Sequence, residues 1–297
     1  MTTCEWGLLA VLSVLWGGAF FLIEIALRDL PPFTIMILRV GGAALFLWAI
    51  VLVRGAGIPK GLGFWGVLTI MGVFNSALPF SLIGWGQIQI TSGLSSILIS
   101  MTPLFAVITA HFFTDDEGFT FTKGLGVLSG VVGAVVLIGP EFLDDIGTNL
   151  FAQLAVLGGA VSYSIAAVFG RRFGRKNVSP ISVAAGQVTM AVVLLLPFVL
   201  IFDAPWTLDV PTLAGVSAVA GLALGSTGVA YLIYYRILAT AGATNLMLVN
   251  FLAPVSALIL GILVLGETLT TEQIIGMAFI ALGLALIDGR VFRRRTG

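Results

Sequence analysis

The sequence predicts an all-α membrane protein with ten transmembrane helices in two inverted five-helix repeats. Three observations lead to this prediction: an apolar composition, ten apolar runs of nearly spanning length, and a segment that recurs in the second half. Of the 297 residues, 59% are hydrophobic and 9% are charged, whereas a soluble domain carries about 25% charged residues. Most of the protein surface must therefore face something other than water.

Ten apolar runs divide the chain into candidate spanning helices. Each run approaches the length of about 20 residues that a spanning helix needs. Short breaks with charged residues, proline or glycine separate them, and the spacing predicts helices at about 6–27, 33–53, 63–86, 92–113, 122–139, 149–169, 180–202, 211–236, 243–265 and 271–288. The first run has neither a basic leader nor an obvious cleavage site, so we interpret it as the first helix and not as a signal peptide.

The second half of the chain echoes part of the first. The segment Gly93–Ile138 resembles Thr244–Ile287, and four punctuating residues align, which favours a true repeat over a chance likeness of two leucine-rich helices. The aligned pairs are Pro103 with Pro254, Asp116 with Glu267, Gly126 with Gly276, Gly133 with Gly283 and, more weakly, Pro32 with Pro180 and Arg39 with Gln187. Two related halves are typical of secondary transporters, whose site lies between the halves.

Basic residues in the loops predict the orientation of the chain, because they resist translocation. With the N-terminus inside, the outer loops carry only Arg28, and the inner side carries Arg54, Lys60, Lys123, Arg171, Arg172, Arg175, Lys176, Arg236, Arg290, Arg293, Arg294 and Arg295. We therefore expect a multi-pass protein of the inner or plasma membrane with both termini cytoplasmic. Five helices per half invert the second half, so the predicted units are repeats at 1–140 and 148–289 and a basic tail at 290–297.

Several local sequences resemble those of a known family. They are the run from Leu15 to Phe20, Pro32 followed by Arg39, the stretch from Ser100 to Phe105, the stretch from Phe251 to Val255, and Gly266-Glu267 before a glycine-rich last helix. Together they resemble the drug/metabolite transporter superfamily, in its EamA-type branch of ten-helix exporters. The sequence departs from that pattern at 114–117, where Thr-Asp-Asp-Glu replaces the Gly-Glu pair.

The resemblance implies alternating-access transport, with the first, third, fourth, sixth, eighth and ninth helices around a central cavity. It implies export, but it does not select a substrate, because the superfamily contains amino-acid exporters, drug exporters and sugar-nucleotide carriers. From the residues themselves, no charge is expected at mid-membrane depth to match a charged solute. We therefore expect a neutral, zwitterionic or amphipathic substrate, such as an amino acid or related metabolite, with a drug or toxic compound as the alternative.

Polar and aromatic side chains inside the apolar runs are the candidate substrate-binding residues. An uncharged polar group at membrane depth needs a partner, and it often faces the protein interior. The candidates are Trp16, Asn75, Ser96, Ser100, Tyr163, Ser226, Tyr231 and Asn250. Plain helix packing explains Trp16, Tyr163 and the serines about equally well.

Two prolines and two charges suggest moving or closing elements. Pro103 and Pro254 interrupt helical hydrogen bonding and are predicted hinges, with ordinary kinks as the alternative. Glu24 and Arg39 lie at similar predicted depth near the outer ends of adjacent helices, so we expect a structural latch. A gate or coupling site, or two separate snorkelling side chains, are the alternatives.

The remaining composition bounds the possible partners and chemistry. Net charge is zero, which gives no indication of nucleic acid, and Cys4 and His111 are the only cysteine and histidine. We therefore expect no disulfide, metal or cofactor, and neither a membrane enzyme nor an ion channel is favoured. The glycines of the fifth and tenth helices predict scaffold or dimer contacts, so the protein is expected to be a monomer or a homodimer through those helices.

Overall fold

The computed structural model describes residues 2–57, 61–113, 121–138, 148–170, 179–246 and 248–288. Within these ranges the chain is helical and contains no strand. We number the helices α1 Thr3–Ala26, α2 Pro32–Val53, α3 Leu62–Gly86, α4 Ser92–Phe113, α5 Phe121–Ile138, α6 Thr148–Gly170, α7 Pro180–Asp203, α8 Leu213–Ala241, α9 249–265 and α10 Thr271–Asp288. The predicted basic tail at 290–297 and Asp116 lie outside the described residues.

The helix lengths match a multi-pass membrane protein. Seven helices, namely α1 to α4 and α6 to α8, are long and apolar enough to cross a bilayer. The apolar parts of α5, α9 and α10 are shorter. The all-helical prediction is therefore confirmed, and the chain is a multi-pass membrane protein.

Glycines let helices from the two halves approach closely. A side chain added at Gly72 of α3 would lie 2.9 Å from the carbonyl oxygen of Gln187 in α7, and one added at Gly86 would lie 2.9 Å from that of Ala152 in α6. Gly17 of α1 likewise touches the backbone of α9. These contacts interlock the halves and fix the walls of any site between them.

The glycines of α5 and α10 pack against each other within one chain. A Cβ added at Gly126 would lie 2.8 Å from the carbonyl oxygen of Gly283, and one at Gly133 would lie 2.7 Å from that of Gly276. This contact agrees with the predicted scaffold role of the two helices. A homodimer through α5 and α10, which stays a prediction, would have to use their other faces.

Four helices in the described part of the chain contain a wider, π-helical turn. These turns lie at Val73–Ala77 in α3, Val199–Asp203 in α7, Gly221–Val229 in α8 and Gly261–Leu265 in α9. A π-turn inserts an extra residue, so it rotates the following side chains relative to a regular helix, and such turns are frequent at functional sites. The turns of α3 and α8 carry Asn75, Ser226 and Thr227, and they lie within long spanning helices.

The two predicted hinge prolines occupy different settings. Helix α4 is interrupted between Ser92–Ile99 and Thr102–Phe113, and Pro103 is the second residue of the later segment, where proline fits without breaking a bond. Pro254 lies inside the uninterrupted segment Val249–Leu260 of α9. The break in α4 thus precedes its proline, and whether either residue acts as a hinge stays a prediction.

Candidate functional site

Arg39 of α2 points into the protein, where it contacts both halves of the chain. Only 6% of its surface is exposed. Its Nε donates a hydrogen bond of 2.9 Å to Oγ1 of Thr227 in α8, and its guanidinium carbon lies 3.8 Å from the centre of the Phe80 ring in α3. The hydrogen bond and the cation–π contact hold the guanidinium group between three helices.

The structure does not pair Arg39 with Glu24. Among the described residues, Arg39 makes no ion pair, and Oε2 of Glu24 is buried without a hydrogen-bond partner. The predicted latch is therefore absent from this structure, because Arg39 turns towards α3 and α8.

Tyr231 of α8 connects three helices beside Arg39. Its hydroxyl oxygen accepts a hydrogen bond of 2.9 Å from Nε2 of Gln187 in α7 and one of 3.3 Å from Nδ2 of Asn75 in α3. The π-turn at Val73–Ala77 carries Asn75, so the irregular backbone places the amide at this junction.

Tyr163 of α6 completes the cluster. Its ring packs edge-on against Phe80, the ring beside the Arg39 guanidinium, with ring centres 6.5 Å apart. We call this set the Arg39 cluster, and it consists of Arg39, Asn75, Phe80, Tyr163, Gln187, Thr227 and Tyr231. It draws on α2 and α3 from the first half and on α6, α7 and α8 from the second.

The other predicted site residues lie elsewhere. The hydroxyls of Ser96 and Ser100 donate to the carbonyls of Gly93 and Ile97 in their own helix, at 2.7 Å and 2.6 Å, so they are already engaged. Trp16 packs 5.8 Å from Tyr234, within an apolar cluster of α1, α8 and α9.

Two further predicted residues lie on α8 and α9. Ser226 is buried next to Thr227 on α8, and Asn250 is half-buried on α9. Of the predicted site residues, the Arg39 cluster contains Arg39, Asn75, Tyr163 and Tyr231. The cluster also contains Phe80, Gln187 and Thr227, which were not among the candidate site residues.

Three carboxylates tie the two halves together on one face of the molecule. Because spanning helices alternate in direction, the ends of α1, α7 and α9 share a face with the starts of α2, α4 and α8. We call it the carboxylate face. At each of these three ends a carboxylate meets the first turn of a helix from the other half, where backbone N–H groups lack helical partners.

Glu267, which follows α9, makes the most extensive of these contacts. Its Oε1 accepts from the backbone N of Ser92 at 3.0 Å and from Oγ of Ser92 at 2.6 Å, while Oε2 accepts from N of Gly93 at 3.0 Å. Gly261 lies so close that a side chain there would collide with the carboxylate. The start of α4 is therefore clamped to the end of α9.

The other two clamps have the same design. Oδ2 of Asp203 accepts from N and Oγ1 of Thr34, at 2.6 Å and 2.8 Å, at the start of α2. Oδ2 of Asp29 accepts from N of Thr212 at 3.0 Å and from its hydroxyl, at the start of α8. In all three clamps the acid belongs to one half and the helix start to the other.

Comparison with known proteins identifies the family. The sequence profile of the EamA-like transporter family matches residues 5–139 and again residues 150–288, so each match contains five of the helices. The chain belongs to the EamA-like transporter family. Relatives of this EamA-like transporter are similar over nearly all of its length.

Two bacterial relatives carry transporter names. The uncharacterized transporter YoaV of Bacillus subtilis is 27% identical and is matched over 97% of this chain and 99% of its own. The uncharacterized inner membrane transporter YedA of Escherichia coli K12 is 26% identical, over 95% of this chain and 89% of its own. These names point to a transporter.

More distant likenesses extend to plants and to a solved structure. The WAT1-related protein At3g02690 of Arabidopsis thaliana, described as chloroplastic, is 25% identical over 97% of this chain and 70% of its own. One crystal structure superposes with a TM-score of 0.70 at 22% identity, over 99% of each chain. At that identity the likeness shows the multi-span membrane fold alone.

Proposed function

We propose that this EamA-like transporter exports a small organic solute, an amino acid or related metabolite, by alternating access around the Arg39 cluster. The observation that supports it best is the bond from Arg39 in one half to Thr227 in the other, inside the protein. A buried charge without a counter-ion is expensive in a membrane protein and is a functional-site hypothesis by default. The two π-turns beside the cluster add irregular backbone where a site is expected.

The carboxylate clamps supply the gate in this proposal. With both termini cytoplasmic, as the loop charges predict, the carboxylate face is external. The clamps then close the external side in this conformer, and the solute loads from the cytoplasm. Release of Glu267, Asp203 and Asp29 from their helix starts opens the external side and lets the solute leave. Since each clamp joins the two halves, all three must yield together when the halves rock apart.

A reversible cross-link tests this mechanism. Cys4 is the only native cysteine, so Cys4→Ser gives a cysteine-free background. Ser92→Cys with Glu267→Cys replaces the α4–α9 clamp by a pair that a bifunctional thiol reagent or oxidation can join. We expect cross-linking to stop solute flux in proteoliposomes, and reduction of the disulfide to restore it.

The control has its two cysteines at positions that do not belong to any clamp. Ser217→Cys with Glu272→Cys leaves all three clamps intact, and both positions are exposed. Oxidation should leave the flux of this control unchanged. Undiminished flux in the fully cross-linked Ser92→Cys, Glu267→Cys protein would contradict the gating mechanism.

A further inference from the structure

We infer that the solute carries a carboxylate group and that this group binds to the guanidinium of Arg39. The inference rests on the proposed function and names the substrate class of the same site. It also revises the expectation of a charge-neutral centre, because the structure brings Arg39 into the cluster.

The hydrogen-bonding state of Arg39 is the first support. A guanidinium has five N–H donors and no acceptor. Among the described residues, Thr227 is the one acceptor of an Arg39 hydrogen bond, and it uses the Nε–H. The two Nη groups therefore have donors left over. A buried cation with unused donors is unfavourable on its own, and an anionic ligand would satisfy both the charge and the donors.

The orientation of the guanidinium indicates the shape of the missing anion. Because Nε is bonded to Thr227 and the guanidinium carbon lies 3.8 Å from the centre of the Phe80 ring, the edge formed by the two Nη groups is the part left for a ligand. Two parallel N–H groups on one edge match the two oxygens of a carboxylate in a bidentate pair. Thr227 and Phe80 thus orient Arg39 before the solute arrives.

The neighbours of Arg39 limit the ligand to a single negative charge. Phe80, Tyr163 and Tyr231 supply rings, and Asn75 and Gln187 supply uncharged amides. No carboxylate of the described residues pairs with Arg39, so the cluster carries one positive charge. Gln187 is the repeat equivalent of Arg39 in the sequence, so the second half contributes an amide where the first contributes a cation.

The rings around the charge favour an apolar body next to the carboxylate. Phe80 is buried and Tyr163 and Tyr231 pack within the same interior cluster, so their faces and edges offer dispersion contacts to an aliphatic or aromatic group. The inferred substrate class is therefore an organic monocarboxylate with an apolar or aromatic body. An amino acid fits the class through its carboxylate.

A panel of acids and their amides tests the inference. The full-length protein in nanodiscs is titrated with phenylacetate, hexanoate and L-phenylalanine, and with the primary amide of each. The amide keeps the size and apolar body and removes the negative charge. We expect at least one acid to bind about tenfold or more tightly than its amide, which corresponds to one charge-assisted hydrogen-bond pair.

Arg39→Gln should abolish this preference, so that acid and amide bind alike. Arg28→Gln removes a positive charge from the exposed loop after α1 and should retain the preference. The wild-type comparison decides the question even if Arg39→Gln fails to fold. If no acid in the panel binds more tightly than its amide, the inference is wrong. Saturable flux of an uncharged solute would then leave the proposed transport function intact, whereas absence of saturable flux for every solute tested would reject that function as well.

Discussion

Arg39 and Thr227 are 188 positions apart in the chain and are joined by a 2.9 Å hydrogen bond inside the protein. Arg39 belongs to the first half and Thr227 to the second, so the bond spans the boundary at which a two-part transporter places its solute. Tyr231 lies one helical turn after Thr227, and its hydroxyl oxygen accepts hydrogen bonds from the side-chain amides of Asn75 and Gln187. A single turn of α8 thus connects the charge of one half with the polar groups of both.

The Tyr231 hydroxyl is expected to matter for flux and for stability. Tyr231→Phe removes the acceptor shared by Asn75 and Gln187 and leaves buried amide donors unsatisfied, which costs about 1–3 kcal/mol of unfolding free energy. We expect reduced flux in a protein that still folds. Tyr235→Phe is the matched control, because the Tyr235 hydroxyl makes no hydrogen bond with the described residues. Equal flux in the wild type and in Tyr231→Phe would remove this hydroxyl from the mechanism.

The clamp at Glu267 should depend on its charge. Glu267→Gln keeps the size but removes the negative charge that faces the first turn of α4, and we expect a loss of about 1–2 kcal/mol from thermal unfolding measurements. We also expect faster thiol labelling from the carboxylate face at a cysteine placed at Ser95. Asp209→Asn, in the exposed loop between α7 and α8, should change neither measurement. If the Glu267→Gln protein has the same thermal stability and the same labelling rate as the wild type, the clamp is contradicted.

Much of the fold was accessible from the sequence because apolar runs and loop charges are strong signals. Asn75, Tyr163 and Tyr231 were also accessible, since polar groups at membrane depth need partners. Phe80 could not be predicted as a site residue, because a phenylalanine in an apolar helix is no different from its apolar neighbours. Thr227 and Gln187 carried weak signals: Thr227 lies four residues before Tyr231, and Gln187 aligns with Arg39.

The rotation of each helix was the part that the sequence did not determine. Glu24 and Arg39 have similar predicted depths, but depth does not say which face of α2 points inward. The π-turns of α3 and α8 also rotate the side chains that follow them, and no residue pattern predicted these turns. Ser96 and Ser100 of α4 were candidates for solute binding, yet a serine in a helix can also donate its hydroxyl to a carbonyl of its own helix, as both do here.

The separation of Glu24 and Arg39 leads to a prediction for a double-mutant cycle. Because the two side chains form neither an ion pair nor a hydrogen bond with each other, the effects of Glu24→Gln and Arg39→Gln on unfolding free energy should add within about 0.3–0.5 kcal/mol. A latch would instead give a large coupling, since either single variant would break the same pair. Chemical denaturation of the two single variants and the double variant measures the coupling directly.

The glycine contact between α5 and α10 should be intolerant of a methyl group. Gly133→Ala would place a Cβ 2.7 Å from the carbonyl oxygen of Gly276, and we expect a loss of about 1–3 kcal/mol in unfolding free energy. Gly66→Ala on α3 is the control, because nothing lies within 4 Å of the added carbon. That control should be neutral or slightly stabilising, since alanine favours the helix. Equal stability of the two variants would contradict the close packing.

Protection of one engineered cysteine tests the central claim that the solute binds between the halves at the Arg39 cluster. Ser226→Cys, in the Cys4→Ser background, places a thiol next to Thr227 with little change in size, and no hydrogen bond of Ser226 to a described residue is lost. Its labelling by a membrane-impermeant thiol reagent is measured in proteoliposomes, from each side, with and without the panel compound that is transported fastest. We expect labelling from both sides in active protein and slower labelling when the solute is present. Labelling at the same rate with and without a transported solute would contradict it.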